Sequence, residues 1–354
     1  MVGAKQLEKV YNNMKKILII GAGAMGSAFS LPCVENRNKV TLVGTFLEDK
    51  IIKNLKKNYY HPSLKSYIPK NLKIFNYQYL KREIQNKPHY IVIAVSSKGI
   101  DWVCSELIKY YKRKYSIILL TKGLTIEKNK ILNLPDRINH LFKKKGLPKQ
   151  DITSIKGPCL AAGLINKIRT STVIANTNIL SANKVKNLIS TEYYKTEISR
   201  DINGVEALGA IKNIYAMLIG ASKGLSGEKL QFKIKNKYYH NTSSALFRNS
   251  LNEMKLFSKK MGGLTETAYG LAGLGDLYVS VAGGRNSKMG YYLGNGKKYL
   301  NIKKKEMKNI TTEGCDLALE LGELLQKKFK RKNFPIMFAL IDSICKNKKL
   351  NIKW

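Results

Sequence analysis

The sequence is poor in the residues that build metal centres and disulfide frameworks. Four histidines stand singly along 354 residues: His61, His89, His140 and His240. Five cysteines contain no Cys-x-x-Cys pair, and their odd number leaves at least one unpaired: Cys33, Cys104, Cys159, Cys315 and Cys345. Such spacing is not that of a zinc cluster or of a disulfide-stapled fold. We therefore expect reduced thiols and no metal.

Long apolar runs are also missing. No stretch approaches the roughly 18 to 20 residues that a membrane span requires, and the first 16 residues lack the apolar core of a signal peptide. These absences predict a cytoplasmic protein without stable membrane insertion. Because Met14 directly precedes the first apolar run, we expect residues 1–13 to form a disordered leader. Either Met1 or Met14 can be the natural start.

Acidic residues are scarce. The chain has 24 Asp and Glu against 63 Lys and Arg, a formal net charge of +39. Such an excess suits a protein that binds nucleic-acid phosphates. However, the lysines are scattered among abundant Asn, Ile and Tyr, whose codons are also A/T-rich, and no confined basic patch with interleaved aromatics is visible. We therefore expect no nucleic-acid partner, although an anionic substrate would benefit from the positive field.

Short apolar runs alternate with helix-like segments over the first 200 residues. Strands are predicted at 16–20, 40–43, 90–95, 116–120 and 172–175, with a helix at 100–111 among the intervening segments. Continuous apolar runs of this length are typical of strands buried on both faces of a parallel sheet. The alternation predicts an α/β Rossmann-type domain, with a doubly wound parallel sheet, over residues 14–202.

The pattern changes after residue 202. Apolar residues recur at helical spacing in residues 204–224, and 245–261 and 317–329 also have a helical pattern. An all-α C-terminal domain is therefore predicted over residues 203–354. The stretch 227–241, including the unusual segment 229–240, is polar and aromatic without a clear period and is predicted to be a surface excursion. The lysine-rich end, 346–353, is predicted to be a solvated tail.

A glycine-rich motif follows the first predicted strand and opens a helix. Gly21, Gly23 and Gly26 form GxGxxG, which allows a tight turn, close approach to a pyrophosphate and tight helix–strand packing. This context favours a dinucleotide site over a ligand-free turn. The second strand ends without an acid for the ribose. Glu48 and Asp49, a few residues later, could reach back to that site or cap the following helix, and we favour capping. We favour NAD over NADP.

Three further features suggest catalysis and substrate binding. Lys122 follows the fourth strand at its carboxyl end, where α/β folds bind ligands. Lys212 lies in an otherwise apolar helix, where desolvation would lower its pKa and suit it to proton transfer, unless it snorkels from the helix edge. The glycine-rich stretch 270–277 contains a single carboxylate, Asp276, and is followed by Arg285 and Asn286. Together these residues have the character of a binding surface.

These segments together resemble the NAD(P)-dependent sn-glycerol-3-phosphate dehydrogenase family. The matching motifs occur in the family's order: GAGAMG (21–26), TKG (121–123), GPCLA (157–161), GVEALGAIKN (204–213), GLAGLGDL (270–277), RN (285–286) and TTEG (311–314). The resemblance implies interconversion of sn-glycerol 3-phosphate and dihydroxyacetone phosphate for glycerophospholipid synthesis, with NAD or NADP as cofactor. It also implies a homodimer acting on a small phosphorylated substrate.

The resemblance implies roles for individual positions. Catalytic positions are Lys212, as the proton-transferring group, Lys122 and Asp276. Cofactor-binding positions are Gly21, Gly23, Ala24, Met25, Gly26, Lys122, Ala161, Arg285, Thr311 and Glu313. Substrate-binding positions are Lys122, Gly157, Cys159, Lys212, Asp276, Gly284, Arg285 and Asn286. No metal is implied.

Two positions depart from the family pattern, and two related families remain alternatives. Cys159 replaces a small hydroxyl residue, and Gly284 replaces a serine in a loop that is one residue shorter. A 3-hydroxyacyl-CoA dehydrogenase would use a His–Glu pair, and no histidine here stands in such a motif. A 6-phosphogluconate dehydrogenase also uses a helical lysine but lacks the GLAGLGDL and Arg-Asn arrangement.

Overall fold

The computed structural model describes residues 14–110, 114–227 and 231–353. The predicted leader, residues 1–13, lies outside the described residues. The chain divides into two compact units. One contains the chain up to Thr121, then Leu134–Ile155 and Cys159–Ile202, and the other contains Lys122–Asn133, Lys156–Pro158 and the chain from Asn203. The short segments 122–133 and 156–158 thus associate with the later part of the chain, although the sequence prediction placed them in the first domain.

The first unit is built on an eight-stranded sheet with the order β12-β11-β10-β7-β6-β1-β2-β5. Its strands are β1 (Lys16–Ile20), β2 (Lys39–Val43), β5 (Lys73–Phe75), β6 (Tyr90–Ile93), β7 (Ser116–Leu119), β10 (Asp151–Lys156), β11 (Thr170–Ala175) and β12 (Tyr194–Ser199). β1 pairs in parallel with β2 and β6, β6 with β7, and β7 with β10. Two further short strands, β3 (Tyr60–His61) and β4 (Ser66–Tyr67), form a separate antiparallel pair and lie between β2 and β5 in the sequence.

The strands are apolar on both faces because both faces are covered. Along β1, Ile17 and Ile19 belong to one hydrophobic cluster, whereas Leu18 and Ile20 belong to another. Each cluster is completed by helices of this unit, which are α1 (Ala24–Glu35), α2 (Asp49–Asn58), α3 (Leu80–Gln85), α4 (Ile100–Tyr110), α5 (Leu134–Lys143), α6 (Ala161–Ile165) and α7 (Ile179–Ile189). This two-sided burial is the doubly wound architecture that the alternating pattern predicted.

The second unit is organised around one long buried helix, α8 (Ile202–Gly220). Every residue from Gly204 to Ile219 is buried, and a helix buried on all sides must be enclosed by other elements. The helices among them are α9 (Ser222–Leu225), α10 (Phe232–Tyr238), α11 (His240–Lys260), α12 (Asp276–Val281), α13 (Arg285–Gly294), α14 (Tyr299–Lys304), α15 (Glu313–Lys328) and α16 (Pro335–Cys345). An antiparallel hairpin, β8 (Leu124–Glu127) and β9 (Lys130–Asn133), also belongs to this unit.

Glycines let two helices approach the backbone of α8. A Cβ atom at Gly290 of α13 would overlap the carbonyl oxygen of Met217, and one at Gly314 of α15 would lie 2.7 Å from that of Asn213. Neither position can accept a larger residue without moving a helix. The middle of α13 is thereby held against α8 at Met217, and the first turn of α15 is held against α8 at Asn213.

Apart from residues 228–230, which lie outside the described part, the stretch 227–241 forms α10 and the start of α11. Its described side chains are exposed or half-buried, so the predicted surface position is confirmed, although the sequence did not indicate the helices. The prediction of a solvated tail at 346–353 is wrong in part, because Leu350 and Ile352 are buried in the core of this unit. At this end of the chain, lysine-rich composition concealed apolar residues that pack. Among the described residues, no helix is long and apolar enough to cross a membrane.

Candidate active site

The glycine-rich turn between β1 and α1 has the geometry of an anion-binding loop. Gly21 has φ +109°, a conformation that side-chain-bearing residues rarely adopt. A Cβ at Gly26 would overlap the carbonyl oxygen of Gly21. Gly23 is the N-cap of α1, and no side chain caps that helix. The N–H groups of the first turn, including those of Ala24 and Met25, therefore remain available to an anion.

Glu48 reaches back to this turn. Its Oε2 accepts hydrogen bonds from the backbone N–H groups of Ala22 and Thr45, both at 2.8 Å. Glu48 makes no side-chain capping bond, so the favoured capping role is wrong for this residue and the alternative of a reach back is confirmed. The acid missing from the end of β2 is thus supplied five residues after the strand. The opposite side of the turn is held by His61, whose Nε2 lies 3.0 Å from the Ala22 carbonyl oxygen. A glycine loop with open amides and an acid beside it fits a dinucleotide.

Three further predicted residues lie close together in sequence, on either side of the boundary between the two units. Cys159 of the first unit is half-buried and forms no disulfide among the described residues, and Ala161 begins the short helix α6. Gly157 belongs to the 156–158 segment of the second unit and has φ +135°. A side chain at Gly157 would be strained, so glycine is required by the backbone there.

In the second unit, two lysines share one buried carboxylate. Asp276 is the first residue of α12, directly after a single π-helical turn formed by Leu271–Gly275. Its Oδ2 lies 2.6 Å from Lys122 Nζ, and its Oδ1 accepts a hydrogen bond from Lys212 Nζ. Lys212 also donates to Ser280 Oγ at 2.6 Å. Asp276 and Lys212 are buried, whereas Lys122 is partly exposed. The snorkelling alternative for Lys212 is therefore wrong.

Burial and charge set the protonation of this cluster. Burial, and secondly the charge of Lys122, lower the pKa of Lys212 to about 8. Burial also opposes the charges of the other two groups, but their mutual attraction outweighs it: the pKa of Lys122 is raised and the pKa of Asp276 is lowered. Asp276 therefore stays ionised, Lys122 stays protonated, and Lys212 can change protonation state near neutral pH.

A second polar network lies beside Lys212. Asn286 Nδ2 donates to Asn213 Oδ1 at 3.0 Å, and Asn213 Nδ2 donates to Glu313 Oε2 at 3.0 Å. Asn286 Oδ1 accepts the N–H of Gly314 at 3.0 Å, so Asn286 joins α8, α13 and α15. Arg285 is mostly exposed and only reaches Glu313 at 3.5 Å. Its guanidinium can therefore turn to an anion without breaking a buried contact.

Two predicted positions flank this network without joining it. Gly284 is the N-cap of α13, with φ −75° and ψ 164°. Thr311 is exposed and precedes Thr312, the N-cap of α15. Within the described residues, no group of three His, Cys, Asp or Glu side chains could hold a metal ion.

Ser280 and Asn213 were missed by the sequence predictions. Ser280 stands four residues after Asp276, hence on the same face of α12, and this spacing was a usable signal. Asn213 directly follows Lys212, but its partners come from α13 and α15. No local pattern in the sequence indicates those partners.

The fold defines the class of protein first. A Rossmann-type sheet unit followed by a helical unit is the architecture of two-domain, nucleotide-dependent oxidoreductases. Residues 16–182 match the model of the NAD-dependent glycerol-3-phosphate dehydrogenase N-terminus, and residues 201–352 match that of the corresponding C-terminus. The chain therefore belongs to the NAD-dependent glycerol-3-phosphate dehydrogenase family and is an oxidoreductase of the CH–OH class.

Curated relatives support the same family, and solved structures support the same fold. The chain is 34% identical over 280 residues to the NADP(+)-dependent glycerol-3-phosphate dehydrogenase of Archaeoglobus fulgidus, covering 79% of this chain and 80% of that protein. It is 30% identical over 346 residues to the glycerol-3-phosphate dehydrogenase [NAD(P)+] of Clostridium tetani, covering 94% of this chain and 90% of that protein. The fold is similar to that of the Plasmodium falciparum glycerol-3-phosphate dehydrogenase, with a TM-score of 0.82 at 20% identity, over 97% and 95% of the chains. It is also similar to the fold of the Coxiella burnetii glycerol-3-phosphate dehydrogenase, with a TM-score of 0.77 at 24% identity. That similarity covers 95% of this chain and 96% of the other.

Both halves of the chain thus match one family. The resemblance seen in the sequence is confirmed, and this decides between that family and the two related dehydrogenase families considered as alternatives.

Proposed function

We propose that this protein interconverts sn-glycerol 3-phosphate and dihydroxyacetone phosphate with NAD(P), and so supplies the glycerol backbone of phospholipids. The observation that carries the proposal is the buried cluster in which Asp276 pairs with both Lys122 and Lys212. It contains a group that can exchange a proton near neutral pH and a fixed charge that orients it. The printed names of the relatives support the choice of substrate.

Lys212 would transfer the hydroxyl proton. With a pKa of about 8 it is neutral in a substantial fraction of molecules near that pH, and a neutral amine can accept the proton of a secondary alcohol. In the reverse direction the ammonium would donate to the oxygen of the ketone. The bound nicotinamide supplies hydride transfer at its C4. Asp276 and Ser280 hold Lys212 Nζ from two sides, which fixes the direction of its remaining hydrogen or lone pair.

Lys122 and Asp276 would bind the reacting end of the substrate. Lys122 stays protonated beside Asp276 and can donate a hydrogen bond to the developing alkoxide, which an ammonium stabilises strongly in a water-poor site. Cys159 and Gly157 are proposed to complete this end. A thiol at position 159 donates only weakly, so the substrate contact there rests on backbone groups.

Arg285 and Asn286 would bind the phosphate end. The exposed Arg285 guanidinium can form charge-assisted hydrogen bonds with a phosphate dianion. Gly284, the N-cap of α13, is proposed to contact the same end of the substrate. Asn286 is held by Asn213 and Gly314, so it would present a fixed polar group. Thr311 and Glu313 are proposed to contact the dinucleotide near the same helix ends.

The cofactor proposed is NAD in preference to NADP. Glu48 lies at the glycine-rich turn, where an acid accepts the ribose hydroxyls of NAD and repels the 2′-phosphate of NADP. The first turn of α1, with Ala24 and Met25, would take the pyrophosphate. Ala161 at the start of α6 is proposed as a further cofactor contact.

The wider organisation is also proposed. We expect a homodimer in the cytoplasm, without a nucleic-acid partner and without stable membrane insertion. Domain boundaries at residues 14–202 and 203–354 remain a proposal, refined by the association of segments 122–133 and 156–158 with the later unit.

The decisive experiment is oxidation of NADH or NADPH by dihydroxyacetone phosphate. Lys212→Ala should lower kcat by about 10²- to 10⁴-fold, the range for loss of a general acid or base. Lys57→Ala, at an exposed lysine of α2, is the matched control and should keep native activity. A native protein that oxidises neither cofactor, or full activity in Lys212→Ala, would refute the proposal.

A further inference from the structure

A second buried ion pair lies beside the proposed active site, and the proposed mechanism does not use it. Lys156 is the last residue of β10 and directly precedes Gly157, and Glu206 lies in the first half of α8. Lys156 Nζ is 2.6 Å from Glu206 Oε1, and both side chains are 0% exposed. Fully buried charges are costly unless they are paired, so each residue depends on the other.

The pair is fitted to the helix that carries Lys212. Gly209 stands one turn after Glu206 on α8, and a Cβ there would lie 3.2 Å from Cδ of Lys156. The aliphatic stem of Lys156 therefore lies along α8 at Gly209, between the turn of Glu206 and the turn of Lys212. The absence of a side chain at position 209 makes room for this lysine.

Lys156 is also electrostatically coupled to the catalytic cluster. The charged groups that act on it are Glu206 on α8, Lys122 after β7 and Asp276 on α12. Burial lowers the pKa of Lys156, the attraction of Glu206 and Asp276 raises it, and the repulsion of Lys122 lowers it further. Asp276 is already paired with two ammonium groups, those of Lys122 and Lys212. A third, uncompensated ammonium would repel Lys122 and compete for Asp276.

We propose that Lys156 and Glu206 are positioning residues, in which Glu206 holds the Lys156 ammonium as its own partner and so reserves Asp276 for Lys122 and Lys212. This inference rests on the proposed function, because it explains the Lys156–Glu206 pair by the proposed catalytic roles of Asp276, Lys122 and Lys212. It also gives the Lys156–Pro158 segment a fixed anchor next to Gly157.

Glu206→Gln and the double variant Lys156→Met/Glu206→Gln test the proposal. Glu206→Gln removes this counter-ion of Lys156 and should lower kcat/KM about tenfold at pH values low enough for the buried amine to keep its proton, whereas the double variant removes that ammonium and should recover to within about threefold of the native value at the same pH. A pair that only packs the core predicts the opposite order, with the double variant at least as impaired as the single.

The pH profile gives a second readout. An unpaired buried lysine loses its proton as pH rises, so Glu206→Gln should regain activity at high pH through an ionisation that neither the native enzyme nor the double variant shows. Glu253→Gln removes another buried carboxylate of the same unit, whose hydrogen bonds come from Tyr215 and from the N–H groups of Ile336 and Met337; it is the matched control and should add no such ionisation. If Glu206→Gln shows no additional ionisation of this kind, the proposal is overturned.

The outcome separates this inference from the proposed function. An inactive native protein, or an active Lys212→Ala variant, defeats the proposed function itself. An active, Lys212-dependent enzyme in which the single and double variants are equally impaired defeats only the positioning role. If Glu206→Gln does not fold, the double variant still decides: a folded but inactive double variant shows that the Lys156 ammonium is itself required, which contradicts the proposal.

Discussion

At the scale of residues, the titration of Lys212 gives the first prediction. Because a neutral amine accepts the proton, kcat/KM for oxidation of glycerol 3-phosphate should rise with pH and level off above about 8. For reduction of dihydroxyacetone phosphate the ammonium is needed, so kcat/KM should fall above the same pH. Steady-state kinetics in both directions measure this, with coenzyme binding across the same pH range as the control. If kcat/KM changed with pH in the same direction for both reactions, the proton-transfer role of Lys212 would be contradicted.

Glu48 gives a second prediction at this scale. Glu48→Gln removes the carboxylate charge at the glycine-rich turn and should lower the ratio of kcat/KM with NADH to kcat/KM with NADPH by about tenfold. Asp49→Asn, at the neighbouring acid in the first turn of α2, is the matched control and should leave the ratio unchanged. An unchanged ratio in Glu48→Gln would remove the basis for the proposed NAD preference.

At the scale of elements, the approach of α13 to α8 can be tested directly. Gly290→Ala would improve helix propensity, but its methyl group would overlap the Met217 carbonyl oxygen. Overpacking of this kind costs about 1 to 3 kcal/mol, so the thermal midpoint should fall by about 5 °C. Gly283→Ala, where a Cβ meets no atom within 4 Å, should change the midpoint by less than about 1 °C. Equal midpoints for the two variants would show that α13 stands further from α8.

The elements also show where sequence patterns worked. The strands at 16–20 and 90–95, and the helix at 100–111, were found to within two residues, because apolar runs between glycines and polar turns are local signals. The helix in 227–241 was missed because its lysines and aromatics show no clear period. The choice of capping over a reach back for Glu48 was wrong for a different reason: one of its partners is the N–H group of Ala22 in another segment, and the two roles look identical in sequence.

At the scale of the whole molecule, global stability should depend on Glu253. This buried carboxylate of α11 accepts hydrogen bonds from the N–H groups of Ile336 and Met337 and from Tyr215. Burial raises its pKa from 4.5 to about 7. A raised pKa in the folded state means that the folded protein binds the proton more tightly, so the contribution to stability is complete below pH 4.5 and is lost as pH rises to about 7.

The measurement is the free energy of unfolding against pH. The native protein should lose on the order of 3 kcal/mol from this group between pH 4.5 and 7. Glu253→Gln lacks the titration, so its curve should be flatter over that window whatever its absolute stability. Parallel curves for the two proteins would show that Glu253 does not titrate there.

The sequence by itself determined the sheet unit, the helical unit, the glycine-rich turn and the family, because periodicity and short motifs act over neighbouring residues. It also singled out Lys122, Lys212 and Asp276 as site residues. Only the tertiary structure decided that Asp276 pairs with both lysines, that Glu48 returns to Ala22, and that Lys156 pairs with Glu206 inside the core. These contacts join residues that are 26 to 154 positions apart in the chain, and burial, which sets their charges, exists only once the helices have packed.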